Sequence, residues 1–86
     1  MKIIQRFRTR KDLASHIIYF ENEGPLEMSD VSAFIVDLLA QDISRTELIS
    51  AVRTLFPTVS AETEVDDVIS TLRQIHLLSE AACGGF

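Results

Sequence analysis

Apolar and polar residues alternate with a period of two at the front of the chain and recur with a helical period behind it. From Lys2 to Arg8, the residues Ile3, Gln5 and Phe7 fall on one face and Ile4, Arg6 and Arg8 on the other, which predicts a half-buried strand. His16-Ile17-Ile18-Tyr19-Phe20 is a β-branched and aromatic run, Glu21-Asn22-Glu23-Gly24 has turn composition, and Pro25-Leu26-Glu27-Met28 follows. This predicts a hairpin. Pro25 lacks an amide proton, so Pro25–Met28 belongs on an edge, as a short third strand with an exposed side.

Behind the strands come three helical stripes. Ser29 or Asp30 can cap the first, ahead of Val31, Phe34, Ile35, Leu38 and Leu39, because a side-chain oxygen there accepts from the free amides of the first turn. Ser44-Arg45-Thr46-Glu47 is a capping-box pattern and opens a second helix carrying Leu48, Ile49, Val52, Leu55 and Phe56, which Pro57 ends. Val65, Val68, Ile69, Leu72, Ile75 and Leu78 form the most regular stripe, predicting a third helix roughly from Glu62 to His76. The expected fold is α+β and winged-helix-like, with three short antiparallel strands followed by three helices. It occupies residues 1–79, with residues 80–86, including Gly84-Gly85, as a flexible tail.

At 86 residues, with 47% hydrophobic and 24% charged positions, the chain is one globular domain and too apolar for intrinsic disorder. The net charge of −5 repels a phosphate backbone at long range and argues against general nucleic-acid binding. The charge is uneven, however. Lys2, Arg6, Arg8, Arg10 and Lys11 all precede the first acidic residue, Asp12. A single cysteine, Cys83, cannot form an intrachain disulfide, which fits a reducing compartment. No apolar run approaches the ~18–20 residues that cross a bilayer, and no signal-peptide core follows the charged start, so a cytoplasmic location is expected.

Catalytic chemistry is nearly absent from the pattern. His16 and His76 lie on different elements without a metal-ligand spacing beside them, so no metal or other cofactor is expected. Glu62, Glu64, Asp66 and Asp67 stand at a helix start, where acidic side chains favour the macrodipole. There is no phosphate loop, no Gly-x-Ser-x-Gly elbow and no cysteine–histidine pair with an orienting group. The chain alone is not expected to be an enzyme.

Some segments resemble a known family. Leu26-Glu27-Met28-Ser29 stands where the PqqD-like peptide-recognition domains carry an aromatic-x-Leu-Asn motif at the end of a strand. Ala33–Leu39 follows at the family's distance, and Ile43-Ser44-Arg45-Thr46-Glu47-Leu48-Ile49 is similar to its capped second helix. Glu64-Val65, Val68-Ile69, Leu72 and His76-Leu77-Leu78 are similar to its last helix and Gly-Leu-Leu end. The resemblance covers roughly residues 15–78 and rests on hydrophobic spacing, with Ser29 replacing Asn and His76 replacing Gly.

The resemblance implies a recognition element for ribosomally synthesised, modified peptides. Such domains bind the leader segment of a precursor as an added strand against the third strand, in the groove it makes with the last helix. Edge amides and carbonyls give sequence-tolerant affinity, while pockets for alternate side chains give choice. Carried over, the peptide-binding residues are Pro25, Leu26, Glu27 and Met28 on the strand, with Ile69, Arg73 and His76 on the helix. The partners implied are the precursor leader and a separate tailoring enzyme, such as a radical SAM enzyme, a peptidase or a cyclase. Two alternatives stand beside this: a small winged-helix DNA-binding regulator, and a structural subunit of a biosynthetic enzyme. For the regulator, Arg45, Arg53 and Arg73 are the only basic residues on the two helices that could read DNA.

Overall fold

The computed structural model describes residues 1–4, 6–12, 15–21 and 24–79. The expected tail, residues 80–86, lies outside the described residues, as does part of the turn expected between the hairpin strands. Alternation at the N-terminus holds at its first step, with Ile3 buried and Ile4 59% exposed. The single strand expected from Lys2 to Arg8 is instead two. β1 (Lys2–Ile3) leaves the register, and β2 (Phe7–Asp12) runs farther than the alternation reached. β3 (Ser15–Phe20) and β4 (Pro25–Met28) complete an antiparallel sheet in the order β2-β3-β4, so β4 is an edge strand.

Register decides which residues reach the core. Phe7 pairs with Phe20, and Ile18 pairs with both Thr9 and Leu26. Ile18 and Phe20 are buried, with Phe7, Leu26 and Met28 packed against the same core. The Phe7 and Phe20 rings meet at 5.7 Å with a 44° tilt. Arg8, Tyr19 and Pro25 form one row on the opposite face, and Arg10, Ile17 and Glu27 form the next.

Three helices cover the core face. Ser29 caps α1 (Asp30–Leu38), its side chain accepting from the Ser32 amide. The capping box before α2 (Arg45–Leu55) is complete, because the Ser44 hydroxyl accepts from the Glu47 amide while Glu47 Oε1 accepts from the Ser44 amide. Each contact satisfies an amide that the first helical turn leaves without an internal partner. α3 (Ala61–Gln74) buries Val65, Val68, Ile69 and Leu72 along one stripe. Val36, Leu39, Leu48 and Val52 meet that stripe in the same fully buried cluster. Three antiparallel strands followed by three helices make this a small α+β, winged-helix-like fold.

The end of α3 differs from the expected continuation to His76. His76 takes φ 58, the left-handed region, and stops the helix. Its amide donates to the Arg73 carbonyl at 3.1 Å, and the Leu77 amide donates to the Leu72 carbonyl at 2.9 Å. These two bonds are those of a Schellman stop, and the fully buried Leu72 and Leu77 supply its hydrophobic contact. Leu78, expected as the last step of the helical stripe, instead opens β5 (Leu78–Ser79), which pairs antiparallel with β1. The Ile3 amide also donates to the Leu39 carbonyl, and the Met1 ammonium lies 2.9 Å from Asp42 Oδ1. The N-terminal strand is thereby tied to the α1–α2 connection.

Candidate functional site

β4 is built to leave one side open. Its outer neighbour position is empty among the described strands, and its residues alternate exposed and half-buried from Pro25 to Met28. Leu26 and Met28 turn toward the core, opposite Ile18 and His16, while Pro25 and Glu27 face away. The strand is held at its C-terminal end. Glu27 Oε2 accepts from the Ser15 hydroxyl at 3.1 Å, and beyond Met28 the chain enters α1 through capped Ser29. His16 Nε2 lies 2.7 Å from Asp30 Oδ1, joining β3 to the first turn of α1.

Between β4 and α3 runs a shallow groove of about 260 Å³. Leu26, Glu27 and Met28 line its strand side, Ser29 and Ser32 its end, and Asp67, Val68 and Thr71 its helix side. The groove therefore offers an apolar floor, three hydroxyls and the Asp67 carboxylate, while the Glu27 carboxylate turns to the opposite face beside Ser15. An extended segment with apolar side chains at alternate positions fits that mixture, with a cationic side chain favoured beside Asp67.

Pro25 stands on the open strand just outside this lining. Ile69, Arg73 and His76, expected on the helix side, do not line it. Ile69 is only 4% exposed and belongs to the core, whereas Arg73 and His76 are exposed elsewhere. The reason is the rotation of α3. At about 100° per residue, Glu62, Asp66, Ile69 and Arg73 share one side of the helix, and Thr71 lies nearly opposite. Two ion pairs join the first side to α2: Arg45 clasps Asp66 through Nε–Oδ1 at 2.8 Å and Nη2–Oδ2 at 3.0 Å, and Arg53 Nη2 lies 3.2 Å from Glu62 Oε1.

The Arg45 hydrogen bonds hold the Asp66 carboxyl below its ordinary range against the opposing effect of desolvation. The same bonds raise the Arg45 guanidinium above its ordinary value. Both side chains are well exposed, so the clasp serves orientation more than stability. Together with the Arg53–Glu62 pair, it occupies the two basic residues of α2 with carboxylates of the same molecule. A recognition helix that must contact phosphates is poorly served by such an arrangement.

Asp67, Val68 and Thr71 escaped the sequence reading. Asp67 reads as a helix-start carboxylate and Val68 as part of the apolar stripe, Thr71 carries no signal of its own, and only the helix rotation brings the three together. Among the described residues, no group of three or more His, Cys, Asp or Glu side chains is placed to hold a metal ion. No helix among them is long and apolar enough to cross a membrane. Compared with family models, with curated proteins and with solved structures, the chain matches none.

Proposed function

We propose that this chain binds the leader segment of a ribosomally synthesised precursor peptide by strand addition to β4, and presents the attached core peptide to a separate tailoring enzyme or leader peptidase. The observation that carries the reading is an edge strand, Pro25–Met28, lying open beside a groove that α3 closes on the other side. An incoming strand gains backbone hydrogen bonds from β4, and Leu26, Met28 and Val68 accept its apolar side chains. The resemblance to PqqD-like domains, in which the third strand and last helix form the binding groove, supports the same assignment.

In this reading the chain contributes proximity and no bond chemistry, since tethering a substrate raises its effective concentration at the enzyme. It works in the cytoplasm, where precursor and enzyme are made. Asp67 favours leaders carrying Lys or Arg near the apolar anchor residues.

The test is recovery from the native source followed by mapping. A pull-down with the chain as bait should return a small precursor peptide together with its modifying enzyme. Titrating the synthetic leader of that precursor into the isotopically labelled chain should shift the amides of residues 26–28 and 67–71. Perturbations confined to α1 and α2, or conversion of the precursor by this chain alone, would refute the proposal.

A further inference from the structure

A hollow larger than the β4 groove lies elsewhere on the molecule. It measures about 930 Å³ and lies between β1 and the far end of the β2–β3 pair. Lys2, Arg6 and Arg8 stand around an apolar floor that includes Ile4, Phe7 and Tyr19. A second hollow of about 360 Å³ shares Arg8 and Tyr19 and continues past Thr9 to Arg10. One basic track thus follows β2 along its length.

Charge separates this track from the rest of the surface. The chain has 13 acidic residues against 8 basic ones, yet five of those basic residues lie between Lys2 and Lys11. All five are exposed. Arg45 and Arg53 are paired with carboxylates of α3, whereas the side chains of Lys2, Arg6, Arg8 and Arg10 form no ion pair among the described residues. Among the described residues, Glu21 is the single acidic one lining either hollow. Ile4, at 59% exposure, is one of only two large apolar side chains so open to water among the described residues.

We infer that this track docks an acidic, extended segment of a partner protein carrying an apolar anchor residue. Arg8 and Arg10 lie two residues apart on one face of β2, a spacing of roughly 6.5–7 Å along a strand. Carboxylates at alternate positions of an extended segment repeat at the same spacing. The hollow beside Ile4 and Phe7 then receives an aliphatic or aromatic side chain between Lys2 and Arg6. β2 is also the sheet's other edge, so its backbone is available to the same segment. A nucleic acid fits less well, because a net charge of −5 opposes its approach while the apolar floor has nothing to gain from phosphates. This docking surface is on the opposite edge from the β4 groove and does not rest on the leader-binding reading.

The experiment uses fluorescence anisotropy with a labelled ten-residue peptide that alternates glutamate with isoleucine or phenylalanine. A peptide with lysine replacing glutamate, an oligothymidylate and vesicles containing phosphatidylserine serve as the comparison probes. The acidic peptide should bind saturably, weaken several-fold between 50 and 300 mM salt as charges are screened, and lose about tenfold in affinity to the Arg6→Glu/Arg8→Glu double variant. Ile4→Ser, at an exposed position that folding does not require, should weaken it separately, and labelled-protein spectra should shift around residues 2–10. Circular dichroism must show both variants folded. No saturable binding, equal binding of the lysine peptide, shifts at residues 26–28 and 67–71 instead, or tighter binding of the oligonucleotide or vesicles would overturn the inference.

Discussion

Replacing His76 with glycine should make the protein more stable, although it removes a side chain. His76 is held at φ 58 by the two hydrogen bonds that end α3 and by the burial of Leu77 behind it. An L-residue in that region costs about 1–2 kcal/mol through the approach of its Cβ to the following carbonyl, a strain glycine does not feel. Glycine also widens the unfolded ensemble, which offsets about 0.4–1 kcal/mol of the gain. The His76 side chain is exposed, so little packing is lost. The balance is a stabilisation of about 0.5–1 kcal/mol, or roughly 2–8 °C in unfolding temperature for a domain of this size. Thermal unfolding by circular dichroism and urea titration both measure it. Gln74→Gly, inside the helix two residues earlier, should instead destabilise by about 0.5–1 kcal/mol, since right-handed backbone favours any residue with a Cβ. His76→Val should be less stable than the parent because β-branching fits the left-handed region worst. A His76→Gly variant no more stable than the parent, or a His76→Val variant equal to it, would refute the argument from backbone strain.

Ser44→Ala removes the hydroxyl of the capping box and should destabilise the protein by about 1 kcal/mol, read as a lower urea midpoint with unchanged slope. Asp66→Asn breaks the clasp from Arg45 and should lower the unfolding temperature modestly at neutral pH. The folded Asp66 carboxyl titrates below its unfolded value, so the folded state binds fewer protons and the clasp's contribution is present above the ordinary aspartate range. It is lost as pH falls through the depressed folded value, so the gap between parent and variant should close below about pH 4. A gap that widens in acid would contradict this sign.

Local chemistry made the caps, the hairpin and the helix starts legible in the sequence. Ser44 and Glu47 satisfy each other across one turn, and Pro25 excludes itself from a central strand, so neither depends on distant parts of the chain. The break after Ile3 was hidden because Ile3, Gln5 and Phe7 continue one alternation, whereas β1 departs to pair with a two-residue strand at the other end. Nothing near Leu78 signals that partner, and its place in an apolar stripe favours a longer helix. On α3 the spacing identified the buried stripe but not which flank turns to β4. The fold places Asp66 and Glu62 beside Arg45 and Arg53 of α2, and Asp67 and Thr71 beside the strand in place of Arg73 and His76.

The pairing of Lys2 with Ser79 has a consequence for the order of assembly. Closing a loop across nearly the whole chain is about 2.5 kcal/mol less favourable than closing the short β3–β4 connection, at roughly 0.6 kcal/mol for each doubling of length. Two residues on each side return little for that entropy, so this ladder closes late in folding, on surfaces that the hairpin strands and helices have already brought together. During synthesis it cannot close until Ser79 has been added, whereas β4 and Val68 are all in place earlier. The groove between β4 and α3 is therefore the earlier structure, and the basic hollow beside Lys2 and Ile4 takes its final shape only when the two ends of the fold meet.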